Sequence, residues 1–267
     1  MQHSYETLTV ETRGPVQWLT LNRPGSLNAI TTQMVAELHH YFDTLYQDRD
    51  CRIIVMRGAG RAFCAGRDIK EAADHSGSAP FGGGFGLQGY LAEVYSRMRR
   101  CPQPIIALVQ GAACGGGFAF ALASDIRIAG ESARMNAAFI RLGLSACDMG
   151  VSYFLPRLVG ASLASELLLT GRFITARRAL ATGLVSEVVP DDALIEAAEP
   201  YIQDMLRATP MGLRLTKDCL NTSIDAPSLA AVLAMENRNQ FLSGQHADFR
   251  EGLAAFVEKR PPVYHGS

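Results

Sequence analysis

Four short β-rich runs, RIIVMRG (52–58), PIIALVQG (104–111), DIRIAG (125–130) and LVSEVV (184–189), alternate with segments of helical character. Strands that must be covered by helices at each return leave few architectures, and the alternation predicts an α/β fold. The run 6–22, with Gly14 and Pro15 at its centre, reads as a hairpin ahead of this series. Between Asn28 and Tyr46 the residues Ile30, Met34, Val35, Leu38, Phe42 and Leu45 recur near a period of 3.6, so a helix packs one face on the sheet. GGFAFALAS (116–124) and SLASELLLTG (162–171) are further helices. After about residue 191 only helical patterns remain, which divides the chain into a core, 1–190, and a C-terminal helical region, 191–267. Such a region serves self-association or folds back as a lid. Residues 74–90, rich in glycine, read as a flexible loop, either a surface connector or a substrate cover.

A chain of 267 residues can bury a sizeable core. Its 25 basic and 26 acidic residues nearly cancel and form no run of like charge, which argues against nucleic-acid or membrane partners. Any anionic ligand has to be held by a few local groups. Cys51, Cys64, Cys101, Cys114, Cys147 and Cys219 show no C-x-x-C spacing, so neither a disulfide framework nor a zinc site is expected. A reducing, cytoplasmic setting follows from that pattern. The polar N-terminal residues do not make a signal-peptide core, and the apolar stretch 104–124 is interrupted by glycines and reads as buried core.

FCAGRDIK (63–70) and GAACGGGFAF (111–120) are two turns that each follow an apolar strand. Neither carries the Lys-Ser or Lys-Thr of a phosphate loop, and neither is a G-x-G-x-x-G dinucleotide turn. Gly66 and the run Gly115, Gly116 and Gly117 let main chain approach closely, with Gly116 at a helix start. Two backbone N–H groups from separate turns aimed at one point make an oxyanion hole. Close packing of helix on strand is the alternative use of these glycines.

LNRPGSLNAIT (21–31), GAGRAFCAGRDIKE (58–71), VQGAACGGGFAFALASDIRIA (109–129), the segment 154–190 and REGLAAFVEKRPP (250–262) resemble, in order and spacing, the enoyl-CoA hydratase/isomerase family, the crotonases. The resemblance covers nearly the whole chain. It implies a crotonase-like ββα spiral core, a C-terminal helical region that packs subunits into a homotrimer or a hexamer, and an acyl-CoA substrate. It implies no cofactor beyond the coenzyme A of that substrate. By position, the amides of Ala65 and Gly116 match the family's oxyanion hole. Cys64, Ala65, Gly66, Arg67, Asp68 and Ile69 match the adenine and pantetheine path. Arg23, Ser26, Leu27 and Ala29 match the turn beside the nucleotide, where Gly25 replaces a lysine common in the family. Arg23, Arg67 and Lys70 are left as candidate phosphate partners.

The family's hydratases use two glutamates as general acid and base. Here the first falls on Ala119 and the second on Phe139, and neither side chain carries a proton. One acid remains nearby, Asp148, in an apolar, Gly-containing turn that would raise its pKa. By position it matches the aspartate of the family's dienoyl-CoA isomerases and, with Ser152 and Tyr153 as anchor, the nucleophilic aspartate of its dehalogenases. Asp148 is therefore a proton shuttle or, alternatively, the cap of the helix that begins near DMGVSYFL. Tyr153 either donates to substrate or packs. Cys64 and Cys114 read as buried thiols, His39 and His40 as surface residues, and Glu71 as a solvated helix residue. Arg141, if it points inward, could bind a carboxylate on the acyl group. The reading is an acyl-CoA enzyme acting through an enolate, with a catalytically silent acyl-CoA binder as the rival.

Overall fold

In the computed structural model residues 4–74 and 84–266 are described. The hairpin forms from β1 (Leu8–Arg13) and β2 (Val16–Leu21), antiparallel about the Gly14–Pro15 turn. A short 3-10 turn at 24–26 leads to α1 (Thr32–Leu45), whose first turn is capped by the Thr31 hydroxyl accepting from the Met34 amide. β3 (Ile53–Gly58) and α2 (Ile69–Asp74) follow, then α3 (Gly84–Arg100).

α3 corrects the reading of 74–90 as a loop, because 84–90 are helical; 75–83 lie outside the described residues. Leu87, Leu91, Val94, Tyr95 and Met98 are all buried, and their spacing makes one continuous apolar face that packs on α1.

β4 (Ile105–Val109), β5 (Ala112–Cys114), α4 (Gly116–Ala123), β6 (Ile126–Gly130) and β7 (Arg134–Asn136) run on without long connections. The chain continues through α5 (Val151–Val159), α6 (Ala161–Thr170), β8 (Ile174–Thr175), α7 (Ala176–Ala181) and β9 (Glu187–Val189). Two sheets result. One has the order β1-β2-β3-β4-β6-β9 and is parallel from β2 onward; the other has the order β5-β7-β8. Side-chain alternation sends Leu19, Leu21, Ile54, Met56, Ile105 and Ala107 to one face, where they share a core with α1, α3 and α4. Trp18, Val55, Ile106, Leu108 and Ile128 point to the other.

That other face is covered by Leu194, Ala198 and Ile202 of α8 (Leu194–Leu206). A division at 190/191 therefore falls within the packing of the core sheet. Three helices remain: α9 (Pro210–Ser223), α10 (Leu229–Gln245) and α11 (Ala247–Glu258). α9 is tied to the core through Lys217, a buried ammonium that donates to Met98 O (3.2 Å) and Gln103 O (2.8 Å) and pairs with Asp125 Oδ2 (2.8 Å). On α10 and α11, Leu229, Phe241, Phe256 and Val257 are exposed. No helix among the described residues is long and apolar enough to cross a membrane.

Candidate active site

Three turns meet at the ends of the parallel strands. The first, 23–29, is held by Asn28, which is fully buried. Its side-chain amide donates to Ala59 O (2.9 Å), Ala62 O (2.8 Å) and Phe63 O (3.2 Å), and its Oδ1 accepts from the Arg23 amide (2.9 Å). Leu27 and Asn28 both have positive φ, 51° and 55°, a conformation disfavoured for side chains with a Cβ. The bonds of Asn28 offset that cost. Asn28 was not among the candidates from sequence, although an Asn in a Pro-Gly-Ser turn is a recognisable left-handed former.

The second turn, 64–70, lies between this one and the glycine turn. Cys64 bridges to Ala113, and the Cys114 amide donates to Cys64 O (2.9 Å). Gly66 has φ +92°, and a Cβ there would lie 2.7 Å from Cys114 O and 3.6 Å from the Gly116 nitrogen. Gly117 is similarly constrained, with Cys64 O only 2.1 Å from the place of its Cβ. The packing use foreseen for the glycines is met here, since Gly66 and Gly117 let the two turns approach closely. α4 starts at Gly116, whose N–H has no acceptor among the described residues.

The Ala65 amide is a correction. It donates to Leu27 O at 2.9 Å, so it is committed to holding the first two turns together. Two residues on, Arg67 pairs with Ile30 through its neighbours' backbone, and its own N–H has no acceptor among the described residues. The amides left open beside each other's turns are those of Arg67 and Gly116.

Asp148 lies on a further turn, just ahead of α5. Met149 follows it at φ +51°, and the Met149 sulfur and the Tyr95 hydroxyl both crowd Gly116: Tyr95 donates to Gly116 O (3.0 Å) and lies 3.2 Å from Met149 Sδ. The Asp148 carboxyl is half-buried, and that desolvation pushes its pKa up, against the opposing pull of bonds from the Met149 amide and Gln88. Both bonds end on Oδ1, at 2.7 Å and 2.5 Å. Oδ2 accepts no bond among the described residues. The helix-cap alternative does not hold, because α5 is capped at Gly150 without a side-chain bond.

The two positions singled out for the absent glutamates, Ala119 and Phe139, are both buried. Ala119 is fully buried in α4. Phe139 is buried with its ring edge against Gly115, 3.3 Å from the place of a Cβ there.

The remaining candidates divide. Ser26, Lys70 and most of Ile69 are exposed along one rim, with Arg67 partly so. Arg23 does not stand free for a phosphate: it donates to Ala29 O (2.6 Å) and to Asp68 Oδ2 (3.0 Å). Burial pushes the Asp68 carboxyl up, but the Arg23 bond and the Glu71 and Lys70 amides outweigh it and hold it below the usual range. Ala29 and Cys64 are buried, and burial raises the Cys64 thiol to about 12, so no thiolate forms there. Tyr153 is corrected as a substrate donor, because its hydroxyl donates to Asp225 and Arg157 stacks on its ring at 3.8 Å. Arg141 does not point inward; its Nε donates to Gly171 O (2.9 Å). His39 is buried and bonded to Tyr90 O (3.0 Å), not on the surface, and Glu71 accepts from the Thr32 amide at the start of α1. A cavity of about 600 Å³ lies beside Tyr95 and Met149, walled also by Leu122, Phe154, Leu158 and Leu220.

Residues 11–267 match the family model for enoyl-CoA hydratase/isomerase. The chain belongs to the enoyl-CoA hydratase/isomerase family. A probable enoyl-CoA hydratase of Mycobacterium tuberculosis is 38% identical over 260 residues, 94% of this chain and 90% of that protein. A 1,2-epoxyphenylacetyl-CoA isomerase of Escherichia coli is 36% identical over 252 residues, 94% of this chain and 95% of that protein. The crystal structure of an enoyl-CoA hydratase from Bacillus anthracis superposes with a TM-score of 0.91 at 32% identity, covering 98% of this chain and 100% of that one. The fold is accordingly the crotonase fold, with a helical C-terminal region. Ala119 and Phe139 put apolar side chains beside the glycine turn, and Asp148 is an acid on a turn packed against it.

Proposed function

We propose that the protein moves a proton along the acyl chain of an acyl-CoA thioester through an enolate. What carries this reading is the Asp148 carboxyl, half-buried on a turn packed against Gly116, with one carboxyl oxygen and the Gly116 amide both unengaged among the described residues. In a 3-enoyl thioester, Oδ2 of the ionised Asp148 takes a proton from C2. The electron pair of that C–H bond moves into the C1–C2 bond and the carbonyl π pair moves onto the thioester oxygen. The Arg67 and Gly116 amides donate to that oxygen. Return of the same proton to C4 shifts the double bond to C2–C3 and restores the carboxylate, so no other reactant is consumed.

Loss of both glutamates disfavours hydration by the two-acid route. The name of the E. coli relative, an isomerase, supports isomerisation. Arg67 and Lys70 on the rim would face the phosphates of coenzyme A, and Ser26, Leu27 and Ile69 its nucleotide end. The apolar cavity beside Tyr95 gives the distal acyl chain room. Self-association into trimers or hexamers is supported by the exposed Leu229, Phe241, Phe256 and Val257 of α10 and α11.

The test is incubation in heavy water with 2-enoyl, 3-enoyl and 3,5-dienoyl-CoA esters, with products read by mass. A moved double bond that disappears in Asp148→Asn supports the reading. Saturable binding of all three esters without mass change or deuterium uptake contradicts it and favours a silent acyl-CoA binder.

A further inference from the structure

Gln88 stands on the first turns of α3, an exposed residue with buried Leu87 and Leu91 on either side of it along the helix. Its Nε2 donates to Asp148 Oδ1 at 2.5 Å, across sixty residues of sequence. Tyr95, two helical turns further on, donates to Gly116 O and contacts Met149. One helix therefore touches both the acid's turn and the amide's turn. The Met149 amide alone would leave the carboxyl free to rotate about its own backbone bond, whereas a second donor on the same oxygen fixes its plane.

We propose that Gln88 is a positioning residue for Asp148, tying Oδ1 with its side-chain amide so that Oδ2 is the oxygen that exchanges protons. The inference rests on Asp148 being the proton shuttle. The titratable group facing Asp148 from α3 is the Tyr95 phenol, buried and kept neutral by that burial; no cation is paired with Asp148 among the described residues. Gln88 is thus the side chain that favours the ionised carboxyl, together with the Met149 amide.

Gln88→Leu removes the donor at similar size, and its exposure protects the fold. The direct readout is the titration of the Asp148 carboxyl by carbon NMR, identified by its loss in Asp148→Asn. Gln88→Leu is expected to raise its midpoint by about one pH unit, and Gln88→Glu, which sets a second carboxyl beside it, to raise it further. The kinetic readout is proton exchange into 3-hexenoyl-CoA in heavy water. There kcat is expected to fall about tenfold with little change in KM, the acid limb of the pH profile to move upward with the midpoint, and Gln88→Leu to cost nothing more in an Asp148→Asn background.

An unmoved midpoint and an unmoved acid limb in Gln88→Leu overturn the proposal. Turnover that survives in Asp148→Asn overturns the proton-shuttle reading instead, and the NMR midpoint, which needs no turnover, separates the two failures.

Discussion

Replacing Asn28 by alanine removes the donor shared by three carbonyls, two of them buried and that of Ala59 partly so, and the acceptor of the Arg23 amide. The geometry fixes the size of the loss. Two of the three carbonyl contacts are short, and Asn28 is fully buried, so water does not replace the amide without rearrangement. A net hydrogen bond is worth about 1 kcal/mol and an unsatisfied buried group costs about 1–3 kcal/mol, which together put Asn28→Ala at about 2–4 kcal/mol. At roughly 2–4 °C per kcal/mol for a domain of this size, Tm falls by about 4–16 °C. Asn28→Gly loses the same bonds but adopts φ +55° without strain, so it should recover about 1 kcal/mol of the deficit. Thermal melts of the three proteins at one protein concentration test this. The same turn supplies Leu27 O to the Ala65 amide, so turnover should fall in both variants well below their melting temperatures. An Asn28→Ala protein within 1 kcal/mol of the parent, or an Asn28→Gly protein no more stable than Asn28→Ala, refutes the reasoning.

Gly66→Ala, with φ +92° and backbone oxygen 2.7 Å from the new Cβ, should separate the two amide-bearing turns and lower kcat/KM by roughly 10²-fold or more, read in the double-bond isomerisation assay. Asp148→Asn should raise stability at neutral pH. The fold raises the pKa of this carboxyl by burying it, so its ionised form costs stability; the cost is absent below the unfolded value, about 3.9, and builds up as pH rises to the folded value. Melts at about pH 3 and about pH 8 should therefore show equal Tm in the first and a higher Tm for Asp148→Asn in the second.

The sheet was legible because its central strands are so apolar that no other element suits them: β3 and β4 are buried on both faces along nearly their whole length. α3 was not, since the glycines at 84, 86 and 89 hide its start, although the spacing of Leu87, Leu91, Val94, Tyr95 and Met98 is a helical signal. Missing α3 meant missing Gln88 and Tyr95. The strands of the small sheet are two or three residues long, too short for any period to register. Near the site, Gly116 at the start of α4 and the burial that perturbs Asp148 were readable from residue type and spacing. Which amide of the 64–70 turn stays open was not, because it depends on Leu27 O, whose position is set by two consecutive left-handed residues stabilised from 31 to 35 residues away. The free Arg23 was a misreading, and the choice between the two roles of Tyr153 stayed open, for the same reason: their partners, Asp68 and Asp225, are distant in sequence.

The central claim is that a single carboxyl, Asp148, moves the proton. Deuterium uptake at C2 and C4 of a 3-enoyl-CoA ester in heavy water, measured for the parent and for Asp148→Asn, tests it most directly. The account predicts uptake at both carbons in the parent and loss of at least about 10²-fold in Asp148→Asn, with binding of the ester retained. Equal uptake in the two proteins would contradict it.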